Sequence, residues 1–146
     1  FVSDDPYRLI VTGRTKHFIS AFGEHVIGEE VESSIAEVNE KHGAVVRDFH
    51  LAPEVAPKKG LPYHEWFIEF ETKPKSMKDY SADLCSALQE RNTYYSDLIK
   101  GKVIQTAVVK AVKKNGFNKA MDSNGKLGGQ NKIPRLSNDR TFADQL

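Results

Sequence analysis

The sequence predicts an α+β domain, a small three- to four-stranded sheet with flanking helices, entered through an N-terminal β-hairpin. Three observations predict it. Two stretches repeat apolar residues at helical spacing, and a third alternates as a strand with one solvated face. Helix and strand patterns intermingle without strict βαβ repetition, which favours a mixed sheet covered by helices. The order read along the chain is hairpin, α, β, β, α, β and loop.

Each element has its own local reason. Leu9 to Val11 and His17 to Ile19 are short apolar runs around a Thr-Gly-Arg-Thr-Lys turn, read as a hairpin or a strand–hinge–strand. Val31, Ile35 and Val38 recur at helical spacing; Glu29, Glu30 and Glu32 crowd the first turn and Gly43 stops the helix. "AVVRDFHLAPEV" reads as a strand ending near Pro53, and "APKKGLP" as a polar loop. "YHEWFIEFE" puts Trp66, Ile68 and Phe70 on one face, with Glu65, Glu69 and Glu71 opposite and Phe67 among them. Met77, Tyr80, Leu84, Leu88, Tyr95 and Leu98 mark one long amphipathic helix closed by Gly101. "KVIQTAVVK" is a further strand, followed by a short basic helical turn up to "NGFNKAM". No periodicity remains after "DSNGKLGG", so the tail is expected to be an ordered or dockable arm.

Composition narrows the function classes. The 146 residues suit one domain, and 39% hydrophobic with 28% charged residues suit a globular core. A net charge of +1 provides no general field for nucleic acid or an anionic membrane. No apolar run can span a bilayer. One cysteine, Cys85, fits a reducing cytosol and a buried, inert thiol. The chain begins inside a strand-like pattern without an initiator methionine, and is expected to be a piece of a longer protein.

The five histidines are scattered over several elements, and none has metal-ligand spacing to another, so no metal site is expected. Three acids in a helix's first turn answer the macrodipole rather than acid–base chemistry. "KAVKKNGFNK" lacks interleaved stacking aromatics and reads as a solvated helix face. Ser-His-Asp and Walker patterns are absent. "GGQNKIPR" is different. Its glycines permit close backbone approach, and Pro134 stiffens the far side, so Lys132 rides on an extended tip that can present one cation.

"GRTKHFISAFGEHVIGEEVE", Gly13 to Glu32, resembles the hinge motif of the acyl-adenylate-forming superfamily. Arg14, Lys16, Gly23, Val26, Glu30 and Glu32 fall on it, and the terminal "GGQNKIPR" fits the superfamily's last motif. "GEHVIGEEVE", "HEWFIEF" and "GGQNKIPRLSNDR" look most like the auxin-responsive promoter family, the acyl acid–amido synthetases, in a bacterial version. The resemblance implies the ferredoxin-like C-terminal domain of an adenylate-forming enzyme. Residues 1–20 would be the hinge and hairpin and residues 21–146 the mobile domain, with a large N-terminal ATP- and acyl-binding domain missing.

The same resemblance implies the roles. Lys132 would be catalytic and, with Arg14, would bind ATP or AMP; Lys16 would be the hinge; Gly23 and Glu24 would line an acceptor-side loop. ATP and Mg²⁺ would be held mainly by the missing domain. The other partners would be a carboxylic acid and an amino-acid or CoA acceptor, in the cytoplasm, with no nucleic acid and no membrane. The isolated chain would be inactive. Two alternatives stand beside this reading: a thioester ligase of the acyl-CoA synthetase type, and a free-standing α+β module that binds a ligand or a partner.

Overall fold

The computed structural model describes residues 3–4, 7–8, 18–123 and 133–146. Four short strands come first: β1 (Ser3–Asp4) pairs antiparallel with β2 (Tyr7–Arg8), and β3 (Phe18–Ile19) with β4 (Val26–Ile27). The hairpin expected between Leu9–Val11 and His17–Ile19 falls mostly outside the described residues. Where it can be followed, Phe18 and Ile19 face Ile27 and Val26.

Helix α1 (Gly28–His42) follows directly. Glu30 Oε1 accepts the Ile27 N–H at 2.9 Å, so one first-turn acid caps the helix as well as meeting its dipole. Gly43 ends it at φ 63°, the left-handed conformation glycine adopts without penalty. Val31, Ser34, Ile35 and Val38 form its buried stripe.

The main sheet has the order β5 (Val45–Glu54), β6 (Tyr63–Thr72), β7 (Val108–Ala111). β5 and β6 are antiparallel, with His50 opposite Phe67 and Leu51 opposite Trp66. β6 and β7 are parallel, joined by a crossover through two helices. One long helix was expected there. The chain instead forms α2 (Met77–Arg91) and α3 (Thr93–Lys100), broken at Asn92. Asn92 is extended at φ −136°, ψ 104°, and its side chain accepts the Tyr95 N–H at 2.8 Å, capping the second helix. Gly101 closes α3, but the left-handed turn is taken by Lys102 at φ 57°.

β7 is shorter than the "KVIQTAVVK" stretch. Residues 102–107 form a connection that buries Ile104 and donates the Gln105 N–H to Pro62 O at 2.8 Å.

The sheet is covered on both faces. Phe49, Leu51, Trp66 and Ile68 pack with α1 and α2 residues in the larger cluster. Ala52 and Phe67 on the other face pack with Phe117, Ala120 and Met121 of α4 (Gly116–Ser123) and with Phe142 and Ala143 of the tail. The face expected to be solvated is therefore covered at its centre, where Phe67 is 1% and Glu69 3% exposed, while Glu65 is half-buried and Glu71 is exposed as expected. The covering elements lie more than 40 residues away, and strand alternation carries no record of them.

Candidate functional site

The expected site residues fall on two stretches of chain, and buried polar groups hold the described residues of each. The first joins β3 to β4. Gly23 sits exposed at its turn with φ 87°, and its N–H returns to Ser20 O at 3.2 Å. Glu24 points the other way and is fully buried. Its Oε2 accepts the Phe22 N–H at 2.9 Å, and its Oε1 accepts from Nε2 of the equally buried His64 at 3.1 Å. A buried carboxylate needs such partners, because desolvation without them costs several kcal/mol or more. The His64 ring stacks on Tyr95 at 4.8 Å, with 13° between planes, and Nδ1 has no partner among the described residues.

Asn92 completes the frame. Its Nδ2 donates to His25 O at 3.3 Å and to Glu30 Oε1 at 3.2 Å. His25 needs that support, since it holds φ 45°, uncommon for a residue with a side chain. The α2–α3 break thus places an amide under the loop. Below it, Tyr95 OH lies 3.5 Å from Cys85 Sγ, and burial pushes the Tyr95 hydroxyl well above its usual range.

The second loop is that of Lys132. Arg14, Lys16, Gly128, Gly129 and Lys132 lie outside the described residues, but the segment leaving the Lys132 loop is defined. Leu51 N–H donates to Arg135 O at 2.8 Å and Ser137 N–H to Leu51 O at 3.0 Å, so Leu136 bridges in parallel to the free edge of β5. His50 Nδ1–H donates to Pro134 O at 2.7 Å. That ring is buried, its Nε2 has no partner among the described residues, and burial holds its pKa below the usual histidine value. Arg135 lays its guanidinium 4.6 Å from the Phe49 ring centroid.

Arg140 secures the tail further on. It reaches Glu65 at 2.8 Å, Asp144 at 3.1 Å and Glu54 at 3.2 Å. Leu136 belongs to the larger cluster and Phe142 to the smaller, so the tail wraps round the β5 edge. The segment entering the Lys132 loop is α4, which packs in that smaller cluster. The described segments on either side of residues 124–132 therefore both pack on one sheet. The segments that border the two stretches also touch: Ser20 N–H donates to Asn138 Oδ1 at 2.8 Å.

Gly23 and Glu24 fall on one loop, as expected, but only Gly23 faces solvent. Sequence reasoning missed His50, His64, Asn92, Asn138 and Arg140 as the groups that position these loops. Asn92 had a readable signal, an asparagine ahead of "TYYSD". The histidines had none, because their partners lie 40 and 84 residues away. Among the described residues no group of His, Cys, Asp and Glu is arranged to hold a metal, and no helix is long and apolar enough to cross a membrane.

Residues 29–141 match the GH3 family C-terminal domain. The chain belongs to the GH3 family. Its fold is similar to part of a GH3.15 acyl acid amido synthetase, with TM-score 0.72 and 19% identity over 92% of this chain and 26% of that one. An AtGH3.15 acyl acid amido synthetase in complex with 2,4-DB gives TM-score 0.70 and 18% identity, over 91% of this chain and 25% of that one. This GH3 domain thus spans about a quarter of the length of the solved relatives it matches. No curated protein sequence matches it.

Proposed function

We propose that this GH3 domain is the mobile lid of an ATP-dependent ligase that joins a carboxylic acid to an amine through an acyl-adenylate, in the cytoplasm. The observation that supports the reading is that, in a GH3 C-terminal domain, the described segments on both sides of residues 124–132 are packed on the sheet. α4 leads into that stretch from one packed cluster, and Ile133–Arg135 leaves it pinned by His50 and Leu51. A lysine on a tip with both ends fixed can be aimed into a cleft by moving the whole domain.

ATP would supply the α-phosphorus that a carboxylate attacks, its bond to pyrophosphate breaking as the acyl-adenylate forms, and in this reading it is held with Mg²⁺ mainly by the N-terminal domain. Lys132 meets the negative charge that develops on phosphoryl oxygens, where a cation in a closing, water-poor cleft has most leverage. Arg14 grips ribose or phosphate with its fork. Rotation about Lys16 then withdraws Lys132 and turns the Gly23 loop toward the amine acceptor. Glu24 acts from inside, holding the Phe22 N–H and with it the shape of that loop.

The full-length enzyme tests this. Lys132→Ala should lower ATP–pyrophosphate exchange about 100- to 1000-fold, the worth of one well-aimed donor to developing charge. Transfer from a pre-made acyl-adenylate should continue, and the melting temperature should hold. Near-normal exchange by this variant overturns the reading. Substituting CoA for amino acids as acceptor distinguishes the thioester alternative.

A further inference from the structure

Exposed apolar side chains are unevenly placed on this domain. Among the described residues, the large hydrophobic side chains left exposed are Val45, Val55, Leu61, Tyr94, Val103 and Val108. Only Val45 lies at the end of the sheet where β5 begins, opposite Thr72. The other five, between 37% and 67% exposed, gather at the opposite end. Ten-residue strands put the two ends about 30 Å apart.

The backbone shows how the five come together. Val55 and Leu61 sit in the β5–β6 loop, just beyond the Glu54–Tyr63 pair. Val108 opens β7 opposite Glu65, and Val103 precedes it. Gln105 ties that connection to the loop, its N–H donating to Pro62 O and its Nε2 to Leu61 O, both at 2.8 Å. Tyr94 stands in the first turn of α3, two residues beyond the Asn92 that holds His25 O. The Gly23 loop is at this end too, since Glu24 meets His64, the second residue of β6. Scattered exposed aliphatics need no explanation, but a group confined to one end marks an interaction surface. Tyrosine is among the residue types that most often anchor one.

We propose that this end of the sheet rests against the N-terminal domain of its own enzyme while the amine is acylated, with Leu61, Tyr94 and Val103 in the contact. The inference rests on the ligase reading, in which turning the Gly23 loop toward the acceptor brings this end to the cleft. The matched part is 26% of the GH3.15 chain, so the larger share of such an enzyme is available to face it. A second copy of this domain fits less well. Residues 55–62 and 98–108 carry Lys58, Lys59, Lys100 and Lys102 and no acid, and two such ends would oppose like charges. A bilayer favours aromatic tips, and both of these loops lack them. An apolar centre with a charged rim suits a contact between domains that part and rejoin.

The test uses the full-length enzyme. A photo-crosslinking amino acid replaces Leu61, or Val45 as the control, and is irradiated with and without a non-hydrolysable acyl-adenylate analogue. Cross-links from position 61 to the N-terminal domain are expected, stronger with the analogue, and none from position 45. Leu61→Ser with Val103→Ser should slow acyl transfer from a pre-made acyl-adenylate about tenfold, the effect of truncating a pair of interface contacts. Pyrophosphate exchange and melting temperature should hold, and Val45→Ser should change none of these. Absence of the position-61 cross-links, cross-links between two copies, or parental transfer rates in the double variant overturns the proposal. So does binding to phosphatidylserine vesicles by the parent but not the double variant. Cross-linking needs no turnover, so position-61 cross-links in an enzyme without pyrophosphate exchange uphold the surface and overturn the ligase reading.

Discussion

At the scale of single residues, His50 shows how one buried ring ties the tail to pH. Its Nδ1–H holds Pro134 O, two residues beyond Lys132, while Asp139 and Arg140 act on it electrostatically. Burial lowers the folded-state pKa, so the fold prefers neutral imidazole. The unfolded chain titrates near 6.5 and binds the proton first as pH falls. The stabilisation is therefore complete above that value and is lost as pH drops from it toward the folded pKa, at a slope of at most about 1.4 kcal/mol per pH unit. His50→Asn keeps a donor near the Nδ1 position but does not titrate. Urea unfolding between pH 4.5 and 7.5 should show a shallower pH dependence for the variant than for the parent. Identical slopes would remove His50 from this role.

At the scale of elements, the α2–α3 break matters more than its single residue suggests. Asn92 caps α3, carries His25 O and touches Glu30, the residue that caps α1. Asn92→Ala should therefore destabilise the domain by about 2 kcal/mol, combining a lost cap with a carbonyl left unpaired. Chemical denaturation checks this, and a loss below about 0.5 kcal/mol would show the amide to be dispensable, as at ordinary surface positions. The elements themselves were largely legible. Val31, Ile35 and Val38 marked α1, Gly43 its end, and the Trp66–Ile68 alternation β6, because each is a local pattern. The second covered face, Glu24 turned inward and the His50–Pro134 contact were not. They depend on which distant segment arrives, and a periodicity records only that a residue is buried, not by what.

At the scale of the whole molecule, the prediction concerns movement of the domain in the full-length enzyme. Arg14→Ala should raise the ATP requirement, since a charge-assisted contact of about 1.5–3 kcal/mol is lost. Lys16→Pro should leave adenylation near normal and slow acyl transfer, because a fixed φ restricts the rotation. Separate measurement of pyrophosphate exchange and amide formation distinguishes the two. If both variants only weaken ATP binding, Lys16 is not the pivot. The resemblance in "GEHVIGEEVE", "HEWFIEF" and "GGQNKIPRLSNDR" pointed to the family, which the match over residues 29–141 shows.

The hydrogen bond from Ser20 to Asn138 bears on timing. It links the segment ahead of the Gly23 turn to the stretch that follows Lys132, on the same packed body. Under the proposed lid function neither loop would travel alone, and turning one toward a cleft would turn the other away. Such a ligase would need no separate signal to keep its two half-reactions in sequence. The domain would serve as an interlock, admitting the second substrate and retiring the first lysine in a single movement.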